Sequence, residues 1–309
     1  MKIEFKQNSP AKASIDLHMH TTHSDGTYTT EQLLCLIRQA GLSVVSITDH
    51  DNVDAYNDLP LYPQYTQGLT IVQGVELSFI YNGRVRDMLG YGIDIGSMKK
   101  VLDEWYPLKK RLEIQQLILI SMKDMCRKNG ILFDEDIQVS SGKKMEAYSL
   151  MHASIASYAQ NLERFPFTKL ATEFYWGHVS HRESPFFVDE TMGIPNMADV
   201  IQAINNSGGL AFLAHPCSYQ LGYDEVASFT RDAAKQGIHG IEVQHAAYTP
   251  RDLSFTKSLA HELGLYQSGG SDYHGNLKPG LELGRAFGNV LVQMHEIQPW
   301  IDNAFKACR

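Results

Sequence analysis

Six short stretches concentrate histidine, aspartate and glutamate: DLHMHTTHSDG (16–26), TDHDN (48–52), GVELS (74–78), LAHP (213–216), GIEVQH (240–245) and GSDYHG (270–275). His18 and His20 stand two residues apart, a spacing that turns both rings to one face of a strand. Asp272 and His274 repeat it. With His50, Glu76 and His215 they supply imidazole and carboxylate ligands together, a mixture suited to Zn, Mn or Fe. The ligands outnumber the needs of one ion, so the pattern points to two or three divalent ions. Such a site clamps the attacking and leaving oxygens of a phosphoryl transfer. Taken singly the motifs are weak, because an HxH pair or a His-Pro step also occurs in ordinary cores and surfaces. Their joint position at strand ends carries the reading. His23, His239, His261 and His295 read as surface or packing residues, and His245 is open between roles.

The elements that must position these groups alternate. Ile15, Leu17 and Met19 alternate with Asp16, His18 and His20, a period-2 strand. Thr29 or Thr30 caps a helix with apolar positions Leu33, Leu34, Ile37 and Ala40, ended by Gly41. Residues 42–48, 69–77 and 85–93 read as further strands. From residue 193 the pattern returns as helix 197–209, strand 210–216, a helix from Asp224, strand 239–245, a helix from Pro250, and strand 265–275 running into a glycine-rich loop. Strands alternating with helices imply a mostly parallel sheet or barrel, and ligands bind at the carboxyl ends of such strands. Residues 99–192 differ in kind. They hold three glycines (Gly130, Gly142, Gly177) against 21 elsewhere, and open with a helical pattern from Tyr106 to Lys128. The expected organisation is an α/β chain in three parts: 1–98, a mainly helical insertion at 99–192, and 193–309.

Composition narrows the partners. Lys plus Arg is 27 and Asp plus Glu is 35, a net charge of −8 over 309 residues. That balance excludes a basic nucleic-acid footprint, so long nucleic acid is not expected to bind non-specifically. No apolar run approaches the roughly 20 residues of a membrane helix. MKIEFKQNSP lacks the apolar core of a secretory signal. The cysteines Cys35, Cys126, Cys217 and Cys308 form no CxxC pair, and a reducing cytoplasmic location is expected. Substrate identity and oligomeric state are not legible.

The motifs together resemble the PHP (polymerase and histidinol phosphatase) family of metal-dependent phosphoesterases, over residues 14–98 and 193–309. The resemblance implies a distorted (β/α)7 TIM-like barrel with a trinuclear site. It points to the branch that acts on nucleoside 3′,5′-bisphosphates or trims short oligoribonucleotides from the 5′ end. Carried over, it assigns His18, His20, Glu76 and Asp272 to one ion, Glu76 and His215 to a second, and Asp25, His50 and His274 to a third. A bridging hydroxide would attack phosphorus, with Asp272, His274 and Glu76 as the catalytic set.

Two departures stand out. Where the family's strand usually carries a ligating His, this chain has Asp87 in RDMLGY. A carboxylate still ligates and favours harder ions, whereas the competing expectation pairs Asp87 with Arg84 or Arg86. The family's GRPHIA-like segment, whose Arg grips a phosphate, has its nearest match in SLMHASIA (149–156), without an Arg. His152, Lys143, His181 and Arg182 are the candidate phosphate grips, with Lys144 and His178 beside them. The alternatives are a histidinol-phosphate-type phosphatase and a PHP module with a degraded site serving as a structural or binding domain. An amide or lactone hydrolase on a related barrel is disfavoured, because no Lys ends a predicted strand to bridge two ions.

Overall fold

The computed structural model describes residues 14–278, 280–285 and 292–306. The chain runs β1 (Ile15–Asp16), α1 (Thr30–Gln39), β2 (Val44–Val45), α2 (Ala55–Asp58), α3 (Pro63–Thr66), β3 (Thr70–Ile71), β4 (Gly74–Tyr81), β5 (Arg84–Tyr91) and α4 (Ile95–Trp105). It continues with α5 (Leu108–Asn129), α6 (Glu146–Ser157), α7 (Ala159–Arg164), α8 (Ala171–Phe174), α9 (Met197–Asn206), β6 (Leu210–Leu213), α10 (Tyr223–Lys235), β7 (Gly240–His245), α11 (Pro250–Leu263), β8 (Tyr266–Gly270) and α12 (Met294–Lys306). The result is a mixed α/β fold. No helix among the described residues is long and apolar enough to cross a membrane.

The strands form two sheets, β1-β2-β3 and β4-β5-β6-β7-β8. The first is parallel, and β6, β7 and β8 are parallel to one another. Isolated parallel bridges join the two sheets, Met19 to Tyr273 on one side and His50 to Glu76 on the other. The Leu17 N–H also donates to the Gly269 carbonyl at 3.2 Å. β8 approaches β1 so closely that a Cβ on Gly270 would lie 2.4 Å from His18 Cβ, so only glycine lets these two strand ends meet.

Both faces of the strands are buried. On one face Val45, Val75, Leu77, Leu213, Ile241 and Val243 pack with Leu33 and Ile37 of α1, Ile204 of α9 and Phe229 of α10. On the other, Ile15, Leu17, Leu89, Tyr91 and Phe212 pack with Trp300 and Ile301 of α12. Burial on two sides explains the continuous apolar runs. A separate apolar cluster holds α5, α6 and α8 together through Leu119, Met122, Met151, Ile155 and Phe174.

Three expectations change. The strand read at 69–77 divides into β3 and β4, which lie in different sheets. β5 runs antiparallel to both β4 and β6; Asn82 and Gly83, at φ +50° and +69°, form the two-residue turn that joins it to β4. That Asn-Gly signal lay in the sequence between two predicted strands. Finally, Glu76, expected near the end of the strand 69–77, stands third in β4; after β5, α4 packs Met98 and Leu102 on the sheet-side core. Other expectations hold closely: Thr29 rather than Thr30 caps α1, in a capping box with Gln32, and α5 ends on Gly130 in the left-handed conformation.

Candidate metal centre

Loops after the parallel strands, together with β4 and β5, which carry Glu76 and Asp87, bring nine acidic and imidazole groups to one place. Ligand atoms of His18, His20, Glu76 and Asp272 lie within 4.8 Å of one another, as do those of His20, Asp25, His50 and His274, and those of His50, Glu76 and Asp87. His215 joins at the edge, its Nε2 2.9 Å from Glu76 Oε1. Every metal ligand expected from the sequence is therefore within this cluster or in contact with it.

The carboxylate of Glu76 is fully buried at the centre. Its Oε2 lies 3.0 Å from His18 Nε2, 3.2 Å from His20 Nε2 and 3.5 Å from His50 Nε2. The backbone around the cluster is unusual. His215 adopts φ +26°, and Asp272 and Asp51 adopt φ +54° and +48°. Left-handed conformations at non-glycine residues cost about 1–3 kcal/mol each and gather at functional sites.

The second atoms of the ligands are held as well. Glu242, fully buried, accepts from His18 Nδ1 at 3.1 Å through Oε1 and from the His215 backbone N–H at 2.9 Å through Oε2. That bond puts the proton on Nδ1 of His18 and leaves Nε2 free to ligate. His274 Nδ1 donates to the Asp272 carbonyl at 2.9 Å, turning Nε2 toward Asp25 Oδ1 at 3.3 Å. His245 Nδ1 accepts the Ala247 N–H at 3.1 Å, so its Nε2–H donates to Asp272 Oδ2 at 3.1 Å. His245 thus orients a ligand. Asp49 accepts from the Thr21 N–H and from the hydroxyls of Thr21 and Ser24, fixing the turn that carries Asp25. Glu242 and Asp49 were missed in the sequence. A carboxylate inside the apolar triplet Ile241-Glu242-Val243 was the signal for the first.

The electrostatics are those of a charge-balanced cluster. Burial disfavours charge on His18, but Glu76, Glu242 and Asp272 outweigh it and raise its pKa well above the ordinary value. His20 is likewise opposed by burial and is pushed up to about 9 by Asp272, Glu76 and Asp25. Burial would raise Glu76, Asp25 and Asp272, yet their polar neighbours hold all three well below the carboxylate range, foremost His18 for Glu76, His274 for Asp25 and Lys278 for Asp272, while burial and then Lys144 drive His50 well below the ordinary imidazole value.

Divalent ions fit this arrangement. Two donor atoms each about 2.1 Å from one ion, at roughly 90–110°, stand about 3.0–3.4 Å apart. His20 Nε2 lies 3.2 Å from Glu76 Oε2 and 3.3 Å from Asp272 Oδ1, and makes no hydrogen bond to either. Buried His50 Nδ1 and His215 Nδ1 also lack hydrogen-bond partners.

Asp87 sits at the rim of the cluster. Ser78 Oγ donates to its Oδ1 at 3.0 Å and Tyr219 Oη to its Oδ2 at 3.2 Å. Burial and then Glu76 raise its pKa. Among the described residues neither Arg84 nor Arg86 forms an ion pair with it; Arg86 lies over the Tyr219 ring. Instead Lys144 reaches in from the loop before α6. Its Nζ donates to Ser78 Oγ at 2.7 Å and Asp51 Oδ2 at 3.1 Å.

The other candidate phosphate grips fall elsewhere. His152 Nε2 donates to the Thr168 carbonyl at 3.0 Å, and its ring packs on Tyr148 and Phe174. His178 stacks on Phe167. Lys143 is exposed on the cavity wall. His181 and Arg182 are exposed and do not line the cavity. That cavity, of about 350 Å³, opens beside His50 and Asp51 and is walled by Lys144, Met145, Tyr148, Tyr175, Glu190 and Met192.

The family described as PHP domain matches residues 16–173, just over half of the chain. A 5′-3′ exoribonuclease of Haemophilus influenzae is 24% identical over 261 residues, covering 84% of this chain and 89% of that protein. A 3′,5′-nucleoside bisphosphate phosphatase of Chromobacterium violaceum is 26% identical over 275 residues, covering 88% and 91%. A solved structure from Chromobacterium violaceum, titled an amidohydrolase, superposes with a TM-score of 0.70 at 21% identity, covering 94% of this chain and 97% of that one. At that identity the superposition speaks for the fold alone. With the family match spanning the first ligand motifs, the chain belongs to the PHP-domain family and is a metal-dependent phosphoesterase.

Proposed function

We propose that the enzyme hydrolyses a phosphate ester of a small nucleotide, a 3′,5′-bisphosphate or a short oligoribonucleotide. Lys144 carries this reading: a cation at the edge of the ligand cluster, on the wall of a cavity of about 350 Å³. That volume falls within the range of small-molecule sites. The two relatives reported above, one named for bisphosphates and one for RNA, support the same substrate class.

In this reading His18, His20, Glu76 and Asp272 hold one ion. Glu76, His215 and Asp87 hold a second, and Asp25, His50 and His274 a third. The ions are Mn, Fe or Zn. Bound, they would acidify water and neutralise charge building on the phosphoryl oxygens. Asp87 in place of an imidazole tilts the second position toward a harder ion. Lys144 Nζ grips a phosphate oxygen by exchanging its bond to Asp51, and Glu242 and His245 keep the ligands in register. Residues 99–192 form the wall that selects the substrate. The two sheets, linked by the Met19–Tyr273 and His50–Glu76 bridges, are parts of one distorted (β/α)7 barrel.

The test is phosphate release from a nucleoside 3′,5′-bisphosphate, its 5′-monophosphate and histidinol phosphate, with Mn²⁺ added. Release from the bisphosphate, with KM raised about 10–100-fold by Lys144→Met, is the expected result. Activity confined to histidinol phosphate would replace the substrate class. Asp87→His is expected to retain or raise metal occupancy, and unchanged occupancy and activity would remove Asp87 from the ligand set.

A further inference from the structure

Resting on the phosphoesterase reading, we infer that Glu190, braced by Tyr175, determines specificity by accepting an N–H donor on the part of the substrate beyond the scissile phosphate. The cavity has a polar and an apolar lining. Its polar lining includes His50, Asp51 and Lys144, and its apolar lining Ile114, Met145 and Met192. Glu190 belongs to the wall of the same cavity, yet nothing in the metal chemistry uses it.

A carboxylate in such a wall costs free energy unless its oxygens are paired. Tyr175 Oη donates to Glu190 Oε2 at 2.6 Å. Oε1 accepts no hydrogen bond among the described residues, and no Lys, Arg or His there lies within ion-pair distance of this carboxylate. Lys144 is committed to Asp51 and Ser78. Burial pushes Glu190 up to about 6, against the Tyr175 hydrogen bond and the charge of Lys144. Tyr175 opens a π-helical turn, Tyr175–Val179, a departure from α-helical winding that is frequent at functional sites.

The sign of the charge orients the substrate. Glu190 repels phosphate, so phosphate belongs with Lys144 and the ligand cluster. What Glu190 attracts is an N–H group. The amine edge of a nucleobase offers one; in guanine, two donors lie side by side. The ammonium of an amino-alcohol phosphate offers another. Both are the same chemistry, a nitrogen donor in the cavity that also receives the phosphate.

The experiment measures kcat/KM for phosphate release by the Mn²⁺-loaded enzyme from guanosine 3′,5′-bisphosphate, histidinol phosphate and phenyl phosphate, which carries no N–H. The wild type is expected to prefer at least one nitrogen-bearing ester over phenyl phosphate. Glu190→Gln should reduce that preference about 10–100-fold, the worth of a hydrogen bond to a charged group. Tyr175→Phe, which keeps the ring and frees the carboxylate, should reduce it less. The ester whose preference falls identifies the source, base edge or ammonium. A preference that survives both substitutions overturns the role of Glu190 and leaves the phosphoesterase reading standing. Release from none of the three esters overturns both.

Discussion

The ligand cluster at the strand ends and the helical wall over it are built by different forces. At the strand ends, groups from six sequence motifs meet on backbone ladders. Glu242 alone ties His18 to the His215 backbone, and Asp16 ties His18 to Ser271 and Gly284 through its buried carboxylate. In the helical wall, α5, α6 and α8 are joined by apolar contacts in a cluster of their own. Of the residues singled out there as phosphate grips, Lys144 alone among the described residues bonds the flank of the cluster, at Asp51 and Ser78. Polar networks demand particular residues at particular places, while apolar packing demands volume and pattern. The two regions should therefore fail in different ways.

The largest expected effect is at the strand ends. Asp272→Asn removes a charge and a ligand at constant volume, and kcat/KM should fall by roughly a thousandfold or more, about 4 kcal/mol of transition-state stabilisation. Far-ultraviolet circular dichroism should be unchanged. Near-normal turnover would break the assignment of the site.

Next is the helical wall. Phe174 is fully buried in its cluster, and Phe174→Ala should cost about 3–5 kcal/mol. The comparison predicts an early unfolding transition with metal binding retained. A single transition that takes metal binding with it would show that the two regions fold as one.

Smaller effects sharpen the strand-end side. Glu242→Gln should weaken metal affinity about 10–100-fold, as loss of a group orienting a metal ligand does; calorimetric titration with Mn²⁺ would measure it. The pH dependence has a definite sign. In the metal-free protein His18, His20 and His215 have raised pKa values, His20 to about 9. A metal must displace their protons, so apparent affinity should rise between about pH 6 and about pH 8, with proton release. Affinity that is flat or falls over that range would contradict the protonated cluster.

Much of this was legible in the residues. The HxH pair, TDHD, Glu76, His215 and the Asp272–His274 pair announced a cluster of groups suited to divalent metal, because ligand chemistry is carried by residue type and strand spacing. Helix α1 and its cap, and the end of α5, followed from local rules. The antiparallel β4–β5 turn was readable from Asn82-Gly83 but is a local exception inside a parallel pattern. The phosphate grips were not readable. His152 and Lys144 both looked available, and only packing decided that one bonds a neighbouring carbonyl and the other reaches Ser78.

The sequence by itself determined the ligand types, the alternation that gathers them at strand ends and the membership in a metal-dependent phosphoesterase family. Tertiary structure decided which nitrogen of His18 is free, because that depends on Glu242, 224 residues along the chain. It also decided that Lys144 meets the cluster and that Glu190 faces the cavity. Those choices are set by how three apolar clusters close on one another, and no local pattern encodes that closure.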